Sequence, residues 1–109
     1  MSADLQIVLC TVPSRESAEQ IASTLVAESL AACVNIVPDI TSVYRWKGAI
    51  ENATELLLII KTGGAVFAAL QNRITALHPY ELPEVIAVPI RDGLPAYLDW
   101  IATSLANPR

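Results

Sequence analysis

The chain has 109 residues, of which 53% are hydrophobic and 17% are charged, and its formal net charge is −4. The negative charge disfavours nucleic acids and anionic membranes as partners, and no apolar run approaches the ~18 residues of a membrane helix. An average soluble domain has about 25% charged residues. In one small domain, 1–109, this shortage of charge predicts that part of the surface is covered in an oligomer.

The two cysteines, Cys10 and Cys33, predict reduced thiols in a cytoplasmic protein. They lie too far apart in the sequence for a metal or redox motif, and unpaired cysteines are typical of reducing compartments. The opening residues, MSADLQIVLC, have no basic residue before their short apolar run, so they do not resemble a secretory signal. For each cysteine, a buried and unreactive side chain is the ordinary interpretation.

The elements predicted in chain order are a strand, a helix, two strands, a helix, a strand and a helix. Short β-branched runs such as LQIVLCTV indicate the strands, and apolar residues at helical spacing indicate the helices. The expected bounds of the first half are a strand at 5–12, a helix capped by Ser14 and running to about Ala32, and a strand at 33–46. A hairpin turn with Gly48 as its hinge and the start of the third strand are expected at 47–52, and the apolar part of that strand at 53–62. A helix that starts after Gly64 and ends before Pro79, a strand at 84–90 and a helix at 94–105 complete the chain. Pro38 is expected to bend the second strand.

This order predicts an α+β, ferredoxin-like βαββαβ sheet with an added C-terminal helix. The first and third strands are then central, and the second is the edge strand of a long hairpin. Tyr44 and Trp46 are expected on one face of that edge, with Val43 and Arg45 on the other. An uncovered edge invites pairing with another chain. We therefore expect the extended hairpin to pair with neighbouring subunits.

The segment LHPYELPEV at 77–85 holds the only histidine, His78, and allows two interpretations. As a metal site, His78 needs two or more further donors, and Glu81 and Glu84 offer carboxylate oxygens. Alternatively, His78 caps the last carbonyls of the second helix, and the two prolines shape an extended connection. The residues alone leave both interpretations open, although one imidazole is a weak basis for selecting copper.

A second candidate site combines aromatic rings with a lysine. Lys61 ends an otherwise apolar strand, and a buried lysine is rare unless it is paired, here with Glu55 or Glu84. If the edge strand of one subunit approaches a strand end of another, a cleft for a small anionic ligand forms between them. Its predicted residues are Tyr44, Trp46, Lys61, Tyr80 and Glu84. Packing of the aromatic side chains in a subunit interface is the alternative.

Six stretches, collinear along the chain, strongly resemble the CutA family of divalent-cation tolerance proteins. They are VLCTVPS at 8–14, LAACVNIVP at 30–38, TSVYRWKGAIE at 41–51, ELLLIIKT at 55–62, LHPYELPEVIAVPI at 77–90 and YLDWI at 97–101. The resemblance implies a ferredoxin-like subunit in an intertwined homotrimer, whose long hairpins form sheets between subunits. It also implies a role in tolerance to copper and other divalent ions.

Copper or another divalent metal ion is the possible cofactor that the resemblance implies. The ligands proposed for the family are a cysteine at the end of the first strand and two adjacent histidines before Pro-Tyr. The cysteine position is Cys10 and the second histidine position is His78, whereas Leu77 stands at the first. A metal site would therefore need a thiol and an imidazole brought together by the fold or across subunits.

Three other function classes are an enzyme, an RNA-binding protein and a small-molecule sensor. No serine, cysteine or threonine has an evident base other than His78, so we expect no catalysis. Central strands without stacking aromatic residues, together with the negative charge, argue against RNA. Trimeric PII-type signalling proteins share this general architecture and bind ligands between subunits. A small-molecule sensor is therefore the competing expectation.

Overall fold

The protein forms a four-stranded antiparallel sheet with three α-helices in a computed structural model that describes residues 4–106. Its elements are β1 (Leu5–Val12), α1 (Arg15–Ala27), β2 (Cys33–Trp46), β3 (Ala49–Gly63), α2 (Phe67–Leu77), β4 (Ile86–Pro89) and α3 (Pro95–Thr103). The strand order is β2-β3-β1-β4, which confirms the predicted α+β, ferredoxin-like sheet with β1 and β3 at its centre. No helix in this part of the chain combines the length and apolar character needed to span a membrane.

One face of the sheet carries the hydrophobic core. In β1, Val8, Cys10 and Val12 are fully buried, because alternate side chains of a strand point to the same face. Helices α1 and α2 supply apolar side chains to this core at helical spacing. Its other fully buried members include Ala18, Ile21, Leu25, Leu58, Ile60, Leu70 and Ile74. Helix α3 packs against β1 and β3.

Helix α1 is shorter than predicted. It ends at Ala27 rather than near Ala32, so the expected C-terminal limit is wrong. Ser29 adopts a left-handed conformation, with φ of 58°, and the N–H of Leu30 donates to the carbonyl oxygen of Leu25 over 2.9 Å. This hydrogen-bond pattern closes a helix at its C-terminus and directs the chain towards β2.

The hairpin of β2 and β3 is the longest feature of the fold. Its strands contain 14 and 15 residues, or roughly 45–50 Å of extended chain, and the described part of the protein measures 46 Å along its longest axis. Strand β1 pairs with β3 only at residues 56–63, so the outer hairpin is a two-stranded ribbon. Lys47 and Gly48 form its turn with φ of 51° and 83°, as a type I′ turn requires.

Strand β3 agrees with the sequence expectation at its start, whereas β4 is shorter than expected. Strand β3 begins at Ala49, within the segment 47–52 expected to hold the hairpin turn and the strand start, and residues 49–54 pair with β2 across the ribbon. Strand β4 covers only Ile86–Pro89 rather than 84–90. Residues 78–85 therefore form a longer connection between α2 and β4 than the sequence pattern indicates.

A β-bulge bends β2 at its proline, as predicted. Val37 lies opposite Leu57 and Ile40 lies opposite Glu55, so residues 38 and 39 of β2 both face residue 56 of β3. Residues opposite each other in an antiparallel pair share a face of the sheet. Beyond the bulge, the even-numbered residues of β2 consequently lie on the same face as Glu55.

The second face of the sheet is apolar but remains partly or largely exposed. It is the face that carries the odd-numbered residues of β1 and β3, opposite the buried core residues. We call it the open face. Its apolar members are Ile7, Leu9, Val37, Leu57, Ile59, Ile86 and Val88, of which the last two are 52% and 47% exposed. A contiguous apolar surface of this kind marks an interaction site.

Candidate functional site

A cleft lies between the hairpin ribbon and the connection 78–85. It has a volume of about 660 Å³. The ribbon contributes Ser42, Val43, Tyr44 and Trp46, the connection contributes Tyr80, Glu81, Leu82 and Glu84, and Thr11 and Glu55 complete the lining. Four of the five residues predicted for a binding cleft thus lie together in one subunit: Tyr44, Trp46, Tyr80 and Glu84.

Glu55 lies in the cleft lining and is only 5% exposed. Its Oε2 accepts a 2.6 Å hydrogen bond from the hydroxyl of Tyr80. Burial of the phenol, and then the hydrogen bond to Glu55, raise the pKa of Tyr80 well above its usual range, so the hydroxyl keeps its proton at neutral pH. The carboxylate and the phenol therefore tie β3 to the connection 78–85.

His78 is buried and both of its ring nitrogens have backbone partners. Nδ1 lies 3.1 Å from the N–H of Tyr80, which donates to it, and Nε2 lies 2.8 Å from the carbonyl oxygen of Thr11. Because Nδ1 accepts this hydrogen bond, Nε2 of the neutral ring carries the hydrogen that is donated to Thr11. The imidazole also packs against the ring of Tyr80 at 4.8 Å between centroids. His78 therefore joins the connection to β1.

The side chain of His78 does not cap α2 as predicted, although the backbone of this residue closes the helix. Its backbone N–H donates to the carbonyl oxygen of Ile74 over 2.8 Å, at the end of α2. The side chain, however, bonds to β1 and to Tyr80 rather than to the last carbonyls of the helix. As predicted, α2 ends before Pro79.

Cys10 is fully buried beneath the helices. Burial, followed by the negative charges of Glu84 and Glu55, raises the pKa of its thiol to about 12. The thiol is therefore protonated at neutral pH, whereas the thiolate is the form that binds metals. Cys10 Sγ lies 3.8 Å from the carbonyl oxygen of Thr11, the same atom that His78 approaches.

The structure brings Cys10 and His78 to one backbone carbonyl, but their donor atoms are not free. The imidazole has both nitrogens in hydrogen bonds, and the thiol has a raised pKa. Among residues 4–106, no three histidine, cysteine, aspartate or glutamate side chains are grouped as a metal site requires. Metal binding at Cys10 and His78 thus stays a prediction, and it would require these hydrogen bonds to break.

Lys61 does not lie in the cleft of its own subunit. Its ammonium nitrogen donates to Oδ1 of Asn35 and lies 3.9 Å from Sγ of Cys33, on the open face towards the far end of β3. The predicted partners, Glu55 and Glu84, are therefore wrong within one subunit. Asn35 stands opposite residue 59, one alternation away from Lys61 on the same face, so the lysine reaches a neighbour rather than the cleft.

The comparisons with known proteins agree with this geometry. The model of the CutA1 divalent ion tolerance protein family matches residues 6–104. The chain belongs to this family. The divalent-cation tolerance protein CutA of Thermus thermophilus is 54% identical over 96 residues, which cover 88% of this chain and 93% of the relative. A solved structure of the Thermus thermophilus protein has a TM-score of 0.92 at 51% identity, covering 94% of this chain and 99% of that one.

The family extends to longer proteins. The chloroplastic CutA protein of Arabidopsis thaliana is 48% identical over 101 residues, which are 93% of this chain but only 56% of the plant protein. A CutA1 sequence therefore forms one part of that relative. Family membership confirms the resemblance that six collinear stretches indicated.

Glu55 is a cleft residue that the sequence did not predict in this CutA1 chain. The sequence suggested it only as a candidate partner for Lys61, yet it lies in the lining and holds Tyr80. The available signal was a carboxylate at the start of the apolar run ELLLIIKT, on the face that alternation assigns to the odd-numbered residues of β3. Thr11, Ser42 and Leu82 carried no comparable signal.

Proposed function

We propose that this chain acts in divalent-cation tolerance as a homo-oligomeric interaction scaffold without catalysis of its own. The family and its relatives' names support the cation-tolerance role. The observation that carries the scaffold role is the open face, with seven apolar side chains that no core residue covers. Burying such a surface against other copies yields about 25 cal/mol per Å².

The outer hairpin supports the same proposal. An isolated two-stranded ribbon is marginally stable in water, yet this one carries Val43 and Ile50 at 66% and 67% exposure. Pairing of the ribbon edge with a neighbouring copy satisfies its free backbone groups and covers these side chains. The family resemblance implies a homotrimer. A head-to-tail contact repeated between copies can close into such a ring.

The absence of catalysis is supported by the state of the only histidine. His78 uses both ring nitrogens to hold backbone groups, so it is not available as a general base for a nucleophile. For the same reason we propose that cation tolerance does not depend on a preformed Cys10–His78 metal site. The free thiols of Cys10 and Cys33 support a cytoplasmic location.

The assembly is tested by measuring the mass in solution. Sedimentation should give three times the 11.7 kDa chain mass. Val37→Lys and Val88→Lys place a charge on the open face at positions exposed enough to preserve the fold, and each should shift the mass towards the monomer. Ala76→Lys, on the exposed side of α2, is the matched control. A monomeric wild type would refute the proposal.

The role in tolerance is tested in a bacterial strain that lacks its own family member. Wild-type chain should restore growth in elevated copper or zinc, and Val88→Lys should not. Calorimetric titration of the assembled protein with Cu(II), Zn(II) and reduced Cu(I) addresses the metal site. Saturable binding near one ion per subunit, lost in both His78→Ala and Cys10→Ala, would overturn the scaffold proposal in favour of direct metal binding.

A second candidate function is small-molecule sensing. The cleft of about 660 Å³ favours it, since pockets for small ligands usually measure 300–1,000 Å³ and combine apolar walls with a few polar groups. The sensing function predicts that a ligand changes the stability or interactions of the assembly, which thermal unfolding with and without the ligand would measure.

A further inference from the structure

We propose that the cleft between the hairpin ribbon and the connection 78–85 binds a small organic cation with an apolar body, such as a protonated amine or amidine. This inference rests on the second candidate function, small-molecule sensing. It also reverses the anionic ligand that the sequence suggested, because Lys61 lies outside the cleft of its own subunit.

The charge of the cleft is the first observation. Its ionisable lining residues are the acids Glu55, Glu81 and Glu84 together with two tyrosines, and no lysine or arginine lines it. The field of two of these acids reaches the core, where burial raises the pKa of Cys10 most and the negative charges of Glu84 and then Glu55 raise it further. An acidic, partly enclosed site attracts positive ligands and repels anions.

Glu55 supplies the second observation. Its side chain is buried, with only 5% exposure. A buried charge is normally paired with an opposite one. Every ion pair among residues 4–106 lies elsewhere, at Arg15–Glu19, Arg73–Glu28 and Arg91–Asp92. The hydroxyl of Tyr80 solvates one oxygen of Glu55 but brings no positive charge. A cationic ligand would compensate the carboxylate.

The aromatic walls supply the third observation. Tyr44, Trp46 and Tyr80 line the cleft, and the two ribbon residues are 44% and 38% exposed. A cation is attracted to the face of such rings, most strongly to tryptophan. The ring of Trp46 already attracts one cation, since Nζ of Lys47 lies over it at 5.7 Å from the centroid. Aromatic rings beside carboxylates are the chemistry that recognises organic ammonium groups.

The size of the cleft favours an organic cation over a metal ion. A metal ion needs several donors within about 2.0–2.6 Å, and no group of three suitable side chains exists in the described chain. The volume of about 660 Å³ is far larger than one ion requires. The apolar side chain of Leu82 and the aromatic rings would contact a hydrophobic body rather than a hydrated metal.

The test uses three probes of nearly equal size and different charge: benzamidinium, benzamide and benzoate. Fluorescence of Trp46 reports binding in a Trp100→Phe background, because the chain has only two tryptophans and Trp100 lies on α3. Benzamidinium should bind with a dissociation constant of about 1 mM or tighter. Benzamide should bind at least about fivefold more weakly, and benzoate should not bind.

Variants assign the binding to the cleft. The double variant Glu81→Gln/Glu84→Gln should weaken benzamidinium about tenfold. The control Glu16→Gln/Asp99→Asn changes the net charge equally on α1 and α3 and should leave binding unchanged. Ligand-observed NMR on Trp46→Leu should show a reduced preference for benzamidinium over benzamide, since the apolar contact remains and the ring is lost.

The proposal would be overturned by equal binding of the three probes, by preferential binding of benzoate, or by equal effects of the cleft and control double variants. No benzamidinium binding to the assembled protein, but binding to monomeric Val88→Lys, would mean that a neighbouring subunit fills the cleft, and this too would overturn it. Sedimentation of the same samples separates these results from a failure of the scaffold proposal, which would appear as a monomeric wild type.

Discussion

The phenol of Tyr80 donates its hydroxyl to the buried carboxylate of Glu55 over 2.6 Å, and this contact joins the central strand β3 to the connection that precedes β4. The two residues are 25 positions apart in the chain. This hydrogen bond holds the connection 78–85, which lines one side of the cleft, against β3. It also gives Glu55 its only hydrogen-bond donor from a side chain in the described chain.

Tyr80→Phe should therefore destabilise the fold by about 1–3 kcal/mol, because it leaves a buried carboxylate without its donor. Chemical denaturation at neutral pH measures this change. Tyr97→Phe, on the exposed side of α3, removes the same atom and should change the free energy of unfolding by less than about 0.5 kcal/mol. Equal effects of the two substitutions would show that the Glu55 contact contributes nothing.

His78 is expected to act as a clamp for the connection 78–85, whether or not it binds metal. His78→Ala removes the acceptor of the Tyr80 N–H and the donor to Thr11, so it should cost about 2 kcal/mol. Hydrogen exchange of the Tyr80 amide should accelerate by tenfold or more. Thr75→Ala, near the end of the same helix, is the control. Unchanged exchange at Tyr80 would contradict the clamp.

The raised pKa of Cys10 predicts a loss of stability at alkaline pH. The thiol titrates at about 12 in the folded chain and at about 9 when unfolded, so the unfolded state loses its proton first. This contribution to stability is fully present below pH 9 and falls by about 1 kcal/mol per pH unit as the pH rises towards 12. Denaturation between pH 8 and 10 measures it. Cys10→Ala should show a shallower decline over the same range.

The two cysteines should also differ in reactivity. Cys10 is fully buried whereas Cys33 is partly exposed, and alkylation requires an accessible thiolate. Iodoacetamide at pH 8 should modify Cys33 and spare Cys10 in the native protein, as intact mass and peptide mapping would show. Because Cys33 lies on the open face, assembly should slow its modification, and Val88→Lys should restore it. Modification of Cys10 before Cys33 would contradict the described burial.

Thermal unfolding should depend on protein concentration, because assembly and folding would bury the same apolar face. The melting temperature of the wild type should rise as its concentration is raised a hundredfold. Val37→Lys should flatten this dependence, and Ala76→Lys should retain it. A concentration-independent melting temperature with a monomeric mass would contradict the proposed assembly.

Most of the fold could be predicted because its local signals agree with one another. Ser14 caps α1 through the N–H of Ser17, as its position before a helical pattern indicated. The exact bounds of β2, 33–46, followed from its β-branched run. The end of α1 could not be predicted, since Ser29 adopts a left-handed conformation that glycine or asparagine usually signals.

The candidate site was less predictable, because it depends on distances across the sheet. Alternation alone grouped Tyr44 with Trp46, and the connection added Tyr80 and Glu84. Lys61 was placed with them because a buried lysine needs a partner, but Asn35 is that partner. The sequence favoured a glutamate because a carboxylate would balance the ammonium charge, whereas the neutral amide oxygen of Asn35 is brought near Lys61 only by the strand register.

The β-bulge in β2 decides which side chains of the ribbon face the cleft. It adds one residue ahead of the ribbon, and that residue determines which side chains share a face with Glu55. If every residue of β2 paired without the bulge, residue 39 would lie opposite Glu55, and Val43 and Arg45 would share its face in place of the aromatic rings. A guanidinium would then lie on the same side of the ribbon as the carboxylate. A single bulged residue therefore keeps this side of the ribbon aromatic rather than cationic.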